Sequence, residues 1–335
     1  MSNLYIIIII EVKNKTLQIS LMFKKKIFKS GLSVVLGPTA TGKTQLAVQL
    51  AHKLGGEIIS ADSRQVYRGM DIGTGKDLNE YNFKDVSIPY HLIDIVAPIE
   101  EYNVAQFQID FQRVYSDIKE RGKLPILCGG TGLYIKAVLM DFQLPKTEPD
   151  KQLRQKLENW ELEDLINELE TISPGASVNT PVDTKRRVIR AIEVAKSRDR
   201  EKETGKRGAE NSNLQDTTVI GIEYPREVIR ERITKRLHSR LNSGMIEEVE
   251  ALLIGGVTHH RLDTLGLEYR FISRFLKGDY SKEEMTGLLN TAIHQFAKKQ
   301  MTFFRNMENN GIKIHWIPEG NFETALGVIL KDVIL

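Results

Sequence analysis

Apolar runs alternate, over the first 130 positions, with segments whose apolar residues recur every three or four positions. The runs are rich in Val, Ile and Leu, which is typical of buried strands, and they lie at 32–36, 57–60, 91–96 and 124–127. Helical spacing occurs between them at 43–54 and 104–121. Strands that alternate with helices favour an α/β fold with a parallel sheet covered on both faces.

The pattern changes after Pro145. Residues 151–196 show helical spacing without an apolar strand, and 198–216 form a polar segment predicted to be a loop. A strand is predicted again at 217–223, followed by two long helices, the second starting at Ser281 with a capping box completed by Glu284 and ending near Met307. We predict a P-loop NTPase-like parallel sheet core, formed by 31–141 and 217–335, with a helical insertion domain at 142–216.

Residues 1–30 are an N-terminal extension to this pattern. The apolar stretch LYIIIII is stopped by Glu11 and is far shorter than the ~20 residues of a membrane span. It also lacks the basic start and small-residue cleavage site of a signal peptide. We therefore expect no membrane partner, and we expect a chain that starts at Met22 to remain active.

Composition adds few constraints. The 335 residues are 41% hydrophobic and 27% charged, with a net charge of +3, which is ordinary for a globular protein and leaves a polyanionic partner open. The single cysteine, Cys128, excludes internal disulfides and a cysteine zinc site, in keeping with the reducing cytoplasm. His259 and His260 have no companions at metal-ligand spacing and are predicted to lie in a polar turn.

The segment GPTATGKT follows the first predicted strand and opens the first helix, and it fits the phosphate-loop pattern G-x-x-x-x-G-K-[ST]. Loop amides and the helix N-terminus attract phosphate oxygens, Lys43 adds a full charge, and the Thr44 hydroxyl can bind Mg²⁺. The predicted phosphate-binding residues are Gly37, Pro38, Thr39, Ala40, Thr41, Gly42, Lys43 and Thr44. The motif itself does not identify the molecule that carries the phosphate.

The position of the acidic residues narrows that choice. Nucleotide hydrolases and kinases place a metal-binding acid at the end of a later strand, whereas Asp94 lies inside its apolar run. Asp62 instead follows the second predicted strand, which places it at the carboxyl edge of the sheet beside the phosphate loop. A helix cap or a partner of Mg²⁺ is the alternative role for Asp62. The polar residues that follow it are Ser63, Arg64, Gln65 and Tyr67.

Six blocks occur in order between Val34 and Arg305: GPTATGKT, ADSRQVYRGMDIGTGK, PYHLIDIVAP, ILCGGTGLYIKAVL, RRVIRAIEV and KKQMTFFR. Their succession resembles the tRNA dimethylallyltransferases, also called tRNA isopentenyltransferases, and the DSRQVYRGMDIGTGK block is the most specific. The resemblance implies that the loop holds the diphosphate of dimethylallyl diphosphate. It also implies Mg²⁺-dependent transfer of the dimethylallyl group to the exocyclic amine of the adenine 3′ to the anticodon in tRNA.

The resemblance assigns roles to individual residues. Asp62 would take the proton of the adenine amine, while Lys43 and Mg²⁺ on Thr44 would neutralise the diphosphate. Arg270 aligns with an arginine near the diphosphate, although the block around it differs from the family pattern by having Glu268 before Tyr269. The implied tRNA contacts near the sheet are Asp62, Ser63, Arg64, Gln65 and Thr131; from the residues alone, Thr131 is a turn residue.

Basic residues on later helices extend the implied tRNA surface. Arg186 and Arg190 share a helix face opposite an apolar stripe, a pattern that is often simply solvated. The resemblance implies that tRNA contacts are made by Arg186, Arg187, Arg190, Lys298 and Lys299, and it marks Arg305 as a functional residue without a stated contact. A further stripe of Arg232, Arg236 and Arg240 has an open role, because Glu231, Glu247 and Glu248 would neutralise it. The phenylalanines Phe296, Phe303 and Phe304 are predicted to be core residues.

The sequence thus predicts a cytoplasmic, monomeric transferase whose partners are the tRNA anticodon stem-loop and dimethylallyl diphosphate. It departs from the family at His294, where many relatives have an arginine. A P-loop small-molecule kinase is the alternative enzyme, and an RNA-binding module that senses nucleotide is the alternative outside enzymes. The DSRQ block disfavours the kinase, and an acid beside the phosphate loop has no purpose in the binding module.

Overall fold

The computed structural model describes residues 31–140, 150–179, 182–204 and 216–334. The predicted N-terminal extension at 1–30 and the predicted start of the insertion at Phe142 lie outside these ranges. No helix among the described residues is long and apolar enough to cross a membrane.

The strands follow the chain order β1 (Leu32–Leu36), β2 (Gly56–Ser60), β3 (Asn82–Phe83), β4 (Val86–Ser87), β5 (Tyr90–His91), β6 (Leu124–Gly129), β7 (Thr217–Glu223) and β8 (His315–Pro318). A six-stranded sheet has the order β5-β2-β6-β1-β7-β8, and every pairing in it is parallel. Strands β3 and β4 form a separate antiparallel pair. Since the strands of the large sheet are parallel, the chain leaves β1, β2 and β6 at the same edge, where ligands of open α/β sheets bind.

The helices are α1 (Lys43–Leu54), α2 (Val104–Glu120), α3 (Gly132–Leu139), α4 (Lys151–Leu157), α5 (Leu162–Ile172), α6 (Ala176–Asn179), α7 (Lys185–Thr204), α8 (Arg226–Asn242), α9 (Met245–Ile254), α10 (His259–Leu262), α11 (Leu267–Leu276), α12 (Lys282–Asn309) and α13 (Phe322–Ile334). Local sequence explains several of their ends. Gly55 ends α1 in the left-handed region at φ 68°, and Asn103 with Gln106 forms a capping box at the start of α2. The capping box predicted at Ser281 and Glu284 begins α12.

Two layers of apolar residues cover the sheet. On one face, Leu46 and Leu50 of α1 pack with Ile58 of β2 and with Ile329 of α13. On the other face, the packed residues come from β1, α2, α3 and the last part of α12, among them Phe304. The α/β prediction of a parallel sheet between two helical layers is therefore confirmed.

Two further cores lie outside these layers. Helices α8, α9, α11 and α12 bury Leu237, Val249, Tyr269 and Leu289 together with Val66, which draws the chain after β2 into the helical layer. Helices α4, α5 and α7 bury apolar residues among themselves, including Leu165, Leu169, Val188 and Ile192. The apolar stripe predicted on the helix that carries Arg186 and Arg190, which is α7, is therefore buried.

Three sequence predictions about elements are wrong. The strand predicted at 91–96 is shorter, because Leu92 and Asp94 adopt left-handed backbone angles, φ 61° and 55°, which no strand continues through. The loop predicted from Arg198 begins later, because α7 continues to Thr204; residues 205–215 lie outside the described ranges. The polar turn predicted around His259 is a short helix, α10, and His259 Nδ1 lies 2.8 Å from Ser273 Oγ.

Candidate active site

The phosphate-binding loop joins β1 to the first turn of α1. Ala40 and Gly42 both have left-handed backbone angles, φ 64° and 79°, and Ala40 is a non-glycine residue in a region that such residues seldom occupy. The Thr41 hydroxyl and the Lys43 ammonium donate to the same carbonyl, that of Pro38, at 2.8 and 2.7 Å. These bonds hold the loop curved, and Thr39, Lys43 and Thr44 line a cleft of about 510 Å³.

The Lys43 ammonium is electrostatically poised for an anion. Burial lowers the pKa of Lys43 from 10.5 to about 8, and the charge of Arg236 acts in the same direction. Cys128, Asp62 and Glu80 oppose that shift. A bound anion would hold this lysine protonated, because an opposite charge nearby favours the charged form.

Asp62 reaches the same cleft from the end of β2. The backbone of Ala61 continues the pairing with the chain after β6: its N–H donates to Cys128 at 2.8 Å and its carbonyl accepts from the Thr131 N–H at 3.1 Å. Oδ1 of Asp62 accepts the N–H of Arg64 at 2.9 Å, which orients the carboxylate. A carboxylate therefore shares one cleft with the phosphate-binding loop.

The residues after Asp62 are held by hydrogen bonds in this cleft. The Ser63 N–H donates to Thr131 Oγ1 at 3.0 Å. Gln65 accepts from the Ser60 hydroxyl at 3.2 Å and donates to the Gly75 carbonyl at 3.3 Å. Burial lowers the pKa of Arg64 from its ordinary value. The structure thus brings together, along the cleft wall, the predicted residues Ser63, Arg64, Gln65 and Thr131.

Gln300 of α12 is a cleft residue that the sequence analysis did not single out. Its side-chain oxygen accepts the N–H of Thr39 at 2.9 Å, and its nitrogen donates to the carbonyl of Gly130 at 2.8 Å. One buried amide therefore links the phosphate-binding loop to the loop after β6. The only sequence signal for it was its place inside the KKQMTFFR block.

The arginines of the α8 stripe, whose role the sequence leaves open, occupy two different positions. Arg236 and Arg240 line the cleft, whereas Arg232 lies over the ring of Tyr224 at 4.7 Å. The carboxylate of Glu248, which the sequence places near the stripe, accepts the N–H groups of the loop at 71–73. Arg236 pairs instead with Asp77 at 3.6 Å.

Arg270 and its neighbour Glu268 line the cleft from α11. The Arg270 side chain is exposed, and its Nε donates to the carbonyl of Asp263 at 3.0 Å. Burial raises the pKa of Glu268, an effect that Arg240 and Arg236 oppose. Arg270, which aligns with the family's arginine, and Glu268, which departs from the family pattern, therefore both lie in the cleft.

An apolar wall adjoins the charged part of the cleft. Leu133 and Phe296 are each 46% exposed and line the cleft together with Phe303. The prediction that Phe296 is a core residue is wrong: it lies on the exposed side of α12, whereas Phe304 is fully buried as predicted. Phe303 is partly buried, and any side chain at Gly132 would collide with its ring.

The basic residues assigned to tRNA by resemblance occupy different settings. Lys299 lines the cleft, and Lys298 is exposed on the same helix. Arg186 is exposed on α7, Arg187 pairs with Asp183 at 2.6 Å, and Arg190 pairs with Glu193 at 3.1 Å. Although burial alone would raise it, the pKa of Glu193 is lowered by hydrogen bonds from Arg154 and Arg190.

Two other residues named from the sequence have structural contacts away from this cleft. Arg305 pairs with Glu223 at 3.2 Å and with Glu308 at 3.0 Å, and it lies over the Trp316 ring. Asp94 pairs with the buried Lys76 at 2.5 Å, so it is a partner of that lysine. Among the described residues, no group of three or more His, Cys, Asp or Glu side chains is arranged to hold a metal ion.

The fold and the cleft define a P-loop α/β protein in which the phosphate-binding loop after β1 shares a cleft with a carboxylate that follows β2 and with a basic face of α8. The family model described as IPP transferase matches residues 65–307, and the model described as isopentenyl transferase matches residues 30–87. The chain belongs to the tRNA dimethylallyltransferase family.

Individual relatives are similar to this chain over most of their length. The tRNA dimethylallyltransferase 1 of Parabacteroides distasonis is 50% identical over 289 residues, which are 85% of this chain and 92% of that protein. The crystal structure of the full-length tRNA isopentenylpyrophosphate transferase of Bacillus halodurans is 33% identical, with a TM-score of 0.65, and covers 91% of this chain and 98% of that chain. A eukaryotic dimethylallyltransferase acting on tRNA, at 24% identity and a TM-score of 0.71 over 87% of this chain and 74% of that chain, shows the fold alone.

Proposed function

We propose that this protein transfers the dimethylallyl group of dimethylallyl diphosphate to the exocyclic amine of the adenine 3′ to the anticodon of tRNA, releasing diphosphate. One observation carries the proposal: a single cleft combines Lys43 and Thr44, the carboxylate of Asp62, and the apolar wall of Leu133 and Phe296. Dimethylallyl diphosphate has two matching parts: its diphosphate suits the charged half of the cleft, and its apolar tail suits the wall of Leu133 and Phe296. The family supports a tRNA acceptor.

The charged half of the cleft suits the leaving group. In the reaction the allylic carbon–oxygen bond breaks, a carbon–nitrogen bond forms, and the diphosphate leaves with added negative charge. Loop amides at the start of α1, the Lys43 ammonium and the Arg236 guanidinium lie where they can stabilise that charge. Preorganised donors of this kind contribute roughly 3–4 kcal/mol each to lowering a barrier.

Asp62 has the place of a general base. The lone pair of an adenine amine is delocalised into the ring, so the amine must lose a proton as its bond to carbon forms. Asp62 follows β2 at the sheet edge and lines the cleft with the phosphate-binding loop, and the hydrogen bond from the Arg64 N–H orients its carboxylate. A positioned carboxylate contributes typically ~10²–10⁴-fold to such a transfer.

The residues present fit a Mg²⁺ ion shared with the diphosphate. Thr44 is the first-turn residue of α1 and offers a hydroxyl in the cleft, and Mg²⁺ commonly takes few protein ligands beside phosphate oxygens and waters. A bound ion would supply further neutralisation of the leaving group. Thr44 would hold it, and the protein's own lysine and arginines act beside it.

The acceptor base must leave its stack to reach the cleft. Enzymes that act on a base within a folded nucleic acid turn the nucleotide out and read its edge and faces. Ser63, Arg64, Gln65 and Thr131 line the cleft where the base would enter, and Phe296 offers a ring face. We assign phosphate contacts to Lys298 and Lys299, and to Arg186, Arg187 and Arg190 of α7.

Incubation of the full chain with radiolabelled dimethylallyl diphosphate, with and without tRNA, tests this function, and radiolabelled ATP in place of the donor tests the kinase alternative. Label in tRNA that requires wild-type Lys43, and is lost in Lys43→Ala at saturating donor, is the expected result. Label that moves from ATP to a small molecule, with none in tRNA from the prenyl donor, would establish the kinase. Binding of tRNA and nucleotide without transfer of either label would establish the binding module.

We expect the active species to be a monomer in the cytoplasm. Sedimentation measures the oligomeric state, and cell fractionation measures the location.

A further inference from the structure

Two arginine side chains of α8 come together on one wall of the cleft. Arg236 and Arg240 lie one helical turn apart, and a Cβ atom added to Gly75 would collide with Nη2 of both, so the two guanidinium groups meet over this glycine. Like charges held this close repel each other in a partly desolvated site. The charge of Arg236 is partly neutralised by Asp77, whose Oδ2 lies 3.6 Å from Arg236 Nη2.

Arg240 has a different environment. Its Nη2 atom is buried and lacks a hydrogen-bond partner among the residues that the structure describes. Burial, and then the charge of Arg236, lower the pKa of Arg240 to about 10; Glu268, Asp77 and Tyr269 oppose this. A buried donor with no acceptor destabilises the protein on its own, so a ligand oxygen is its natural partner.

We propose that Arg240 is an additional anion-binding residue of the cleft, which donates Nη2–H to an oxygen of the diphosphate leaving group. The identity of the anion rests on the proposed function. A diphosphate oxygen at this place would satisfy the unpaired donor and would offset the repulsion between Arg236 and Arg240. As the carbon–oxygen bond breaks, the leaving oxygens gain charge, and the guanidinium stabilises them together with Lys43.

Calorimetric titration with inorganic pyrophosphate, at fixed salt and Mg²⁺, measures this contact in the full chain. The variants are Arg240→Met, which keeps an apolar stem, and Arg240→Gln. We expect each to weaken pyrophosphate binding roughly 10- to 100-fold, the range for a hydrogen bond to a charged group. The matched control is Arg230→Gln, which makes the same change of charge on an exposed residue of the same helix that does not line the cleft. We expect it to bind pyrophosphate as the wild type does.

Thermal unfolding separates this role from a structural one. Because Nη2 has no partner in the protein, the free Arg240→Met protein should keep or exceed the wild-type Tm, while its gain in Tm on adding pyrophosphate should shrink. Wild-type pyrophosphate affinity in either folded variant would overturn the proposal. Failure of both variants to fold would overturn it as well, since the proposal assigns Arg240 no part in holding the free protein together.

The transfer assay on the same samples keeps the two proposals distinguishable. If the wild type labels tRNA and the Arg240 variants bind pyrophosphate normally, only the assignment of Arg240 fails. If pyrophosphate binding depends on Arg240 but the wild type does not label tRNA from dimethylallyl diphosphate, the anion contact stands and the proposed function fails.

Discussion

The hydroxyl of Tyr269 donates a hydrogen bond of 2.7 Å to the carboxylate of Glu248. The same carboxylate accepts the backbone N–H groups of Asp71, Ile72 and Gly73 at 2.8, 2.6 and 3.0 Å. Tyr269 precedes Arg270, and the loop at 71–75 ends at the glycine under the paired arginines. One carboxylate from α9 therefore fixes two walls of the cleft relative to each other.

Glu248→Gln should lower the free energy of unfolding by about 1–3 kcal/mol, because a neutral amide replaces the charged acceptor of four hydrogen bonds and presents an NH₂ to donors. Urea denaturation followed by circular dichroism measures the change. Glu250→Gln, an exposed residue of the same helix, is the control, with an expected change within about 0.5 kcal/mol. Equal stability of the two variants would show that the Glu248 contacts do not stabilise the fold.

Two glycines should respond in opposite directions to alanine. A Cβ atom on Gly129, at the end of β6, would overlap the backbone of Ala61, which cannot move without breaking the sheet edge that carries Asp62. We expect Gly129→Ala to cost about 3 kcal/mol or more. Gly287 lies within α12 with nothing within 4 Å of an added Cβ, so Gly287→Ala should stabilise by about 0.5–1 kcal/mol. Thermal and urea unfolding of both variants measure these changes, and a neutral Gly129→Ala would contradict the close approach of β6 to Ala61.

The Lys43 environment predicts a pH dependence for anion binding. The pKa of Lys43 in the free protein is about 8, and a bound diphosphate raises it, so affinity is fully present below pH 8 and is lost as the pH rises through 8. The slope should approach a loss of about tenfold per pH unit. Cys128, with its pKa raised to about 12 by burial, stays neutral in this window.

Pyrophosphate titrations between pH 7 and 9.5, in buffers of different ionisation enthalpy, measure both the slope and the proton taken up. Lys43→Arg is the matched control, because its guanidinium stays charged throughout while the ligand's own titration is shared. An identical pH profile for the wild type and Lys43→Arg would show that the Lys43 ammonium does not titrate on binding.

Much of the fold could be predicted because the signals are local. The helical spacing from Lys43 to Leu54, the apolar run at 217–223 and the capping box at Ser281 each depend on neighbours within a few residues, and the elements agree with them. The strand predicted at 91–96 failed for a non-local reason. Asp94 leaves the strand to pair with Lys76, and no periodicity in an apolar run reports such a bond.

The candidate site could be predicted in part. Motif and strand order suffice to place Lys43, Thr44 and Asp62 at one sheet edge, since the carboxyl ends of parallel strands meet there. Gln300 was missed, and Glu248 was given a different role, because the backbone groups that each contacts lie far away in sequence and leave no pattern near either residue. Phe296 was misassigned because the helical face that meets the cleft carries the same apolar residues as one that meets the core.

The role of Asp62 gives the sharpest test of mechanism. Asp62→Asn keeps the size of the side chain and an oxygen that can accept the Arg64 N–H, but an amide cannot take the proton of the adenine amine. Single-turnover transfer should therefore fall by roughly 10²–10⁴-fold, while pyrophosphate and tRNA still bind.

If Asp62 acts mainly as a partner of Mg²⁺, the same change should raise the Mg²⁺ requirement, and excess metal should restore the rate. Single-turnover rates against Mg²⁺ concentration, with tRNA affinity measured at one fixed salt concentration, separate these cases. A mutant restored to near wild-type rate by metal, or one that fails only in binding tRNA, would remove Asp62 from the role of base.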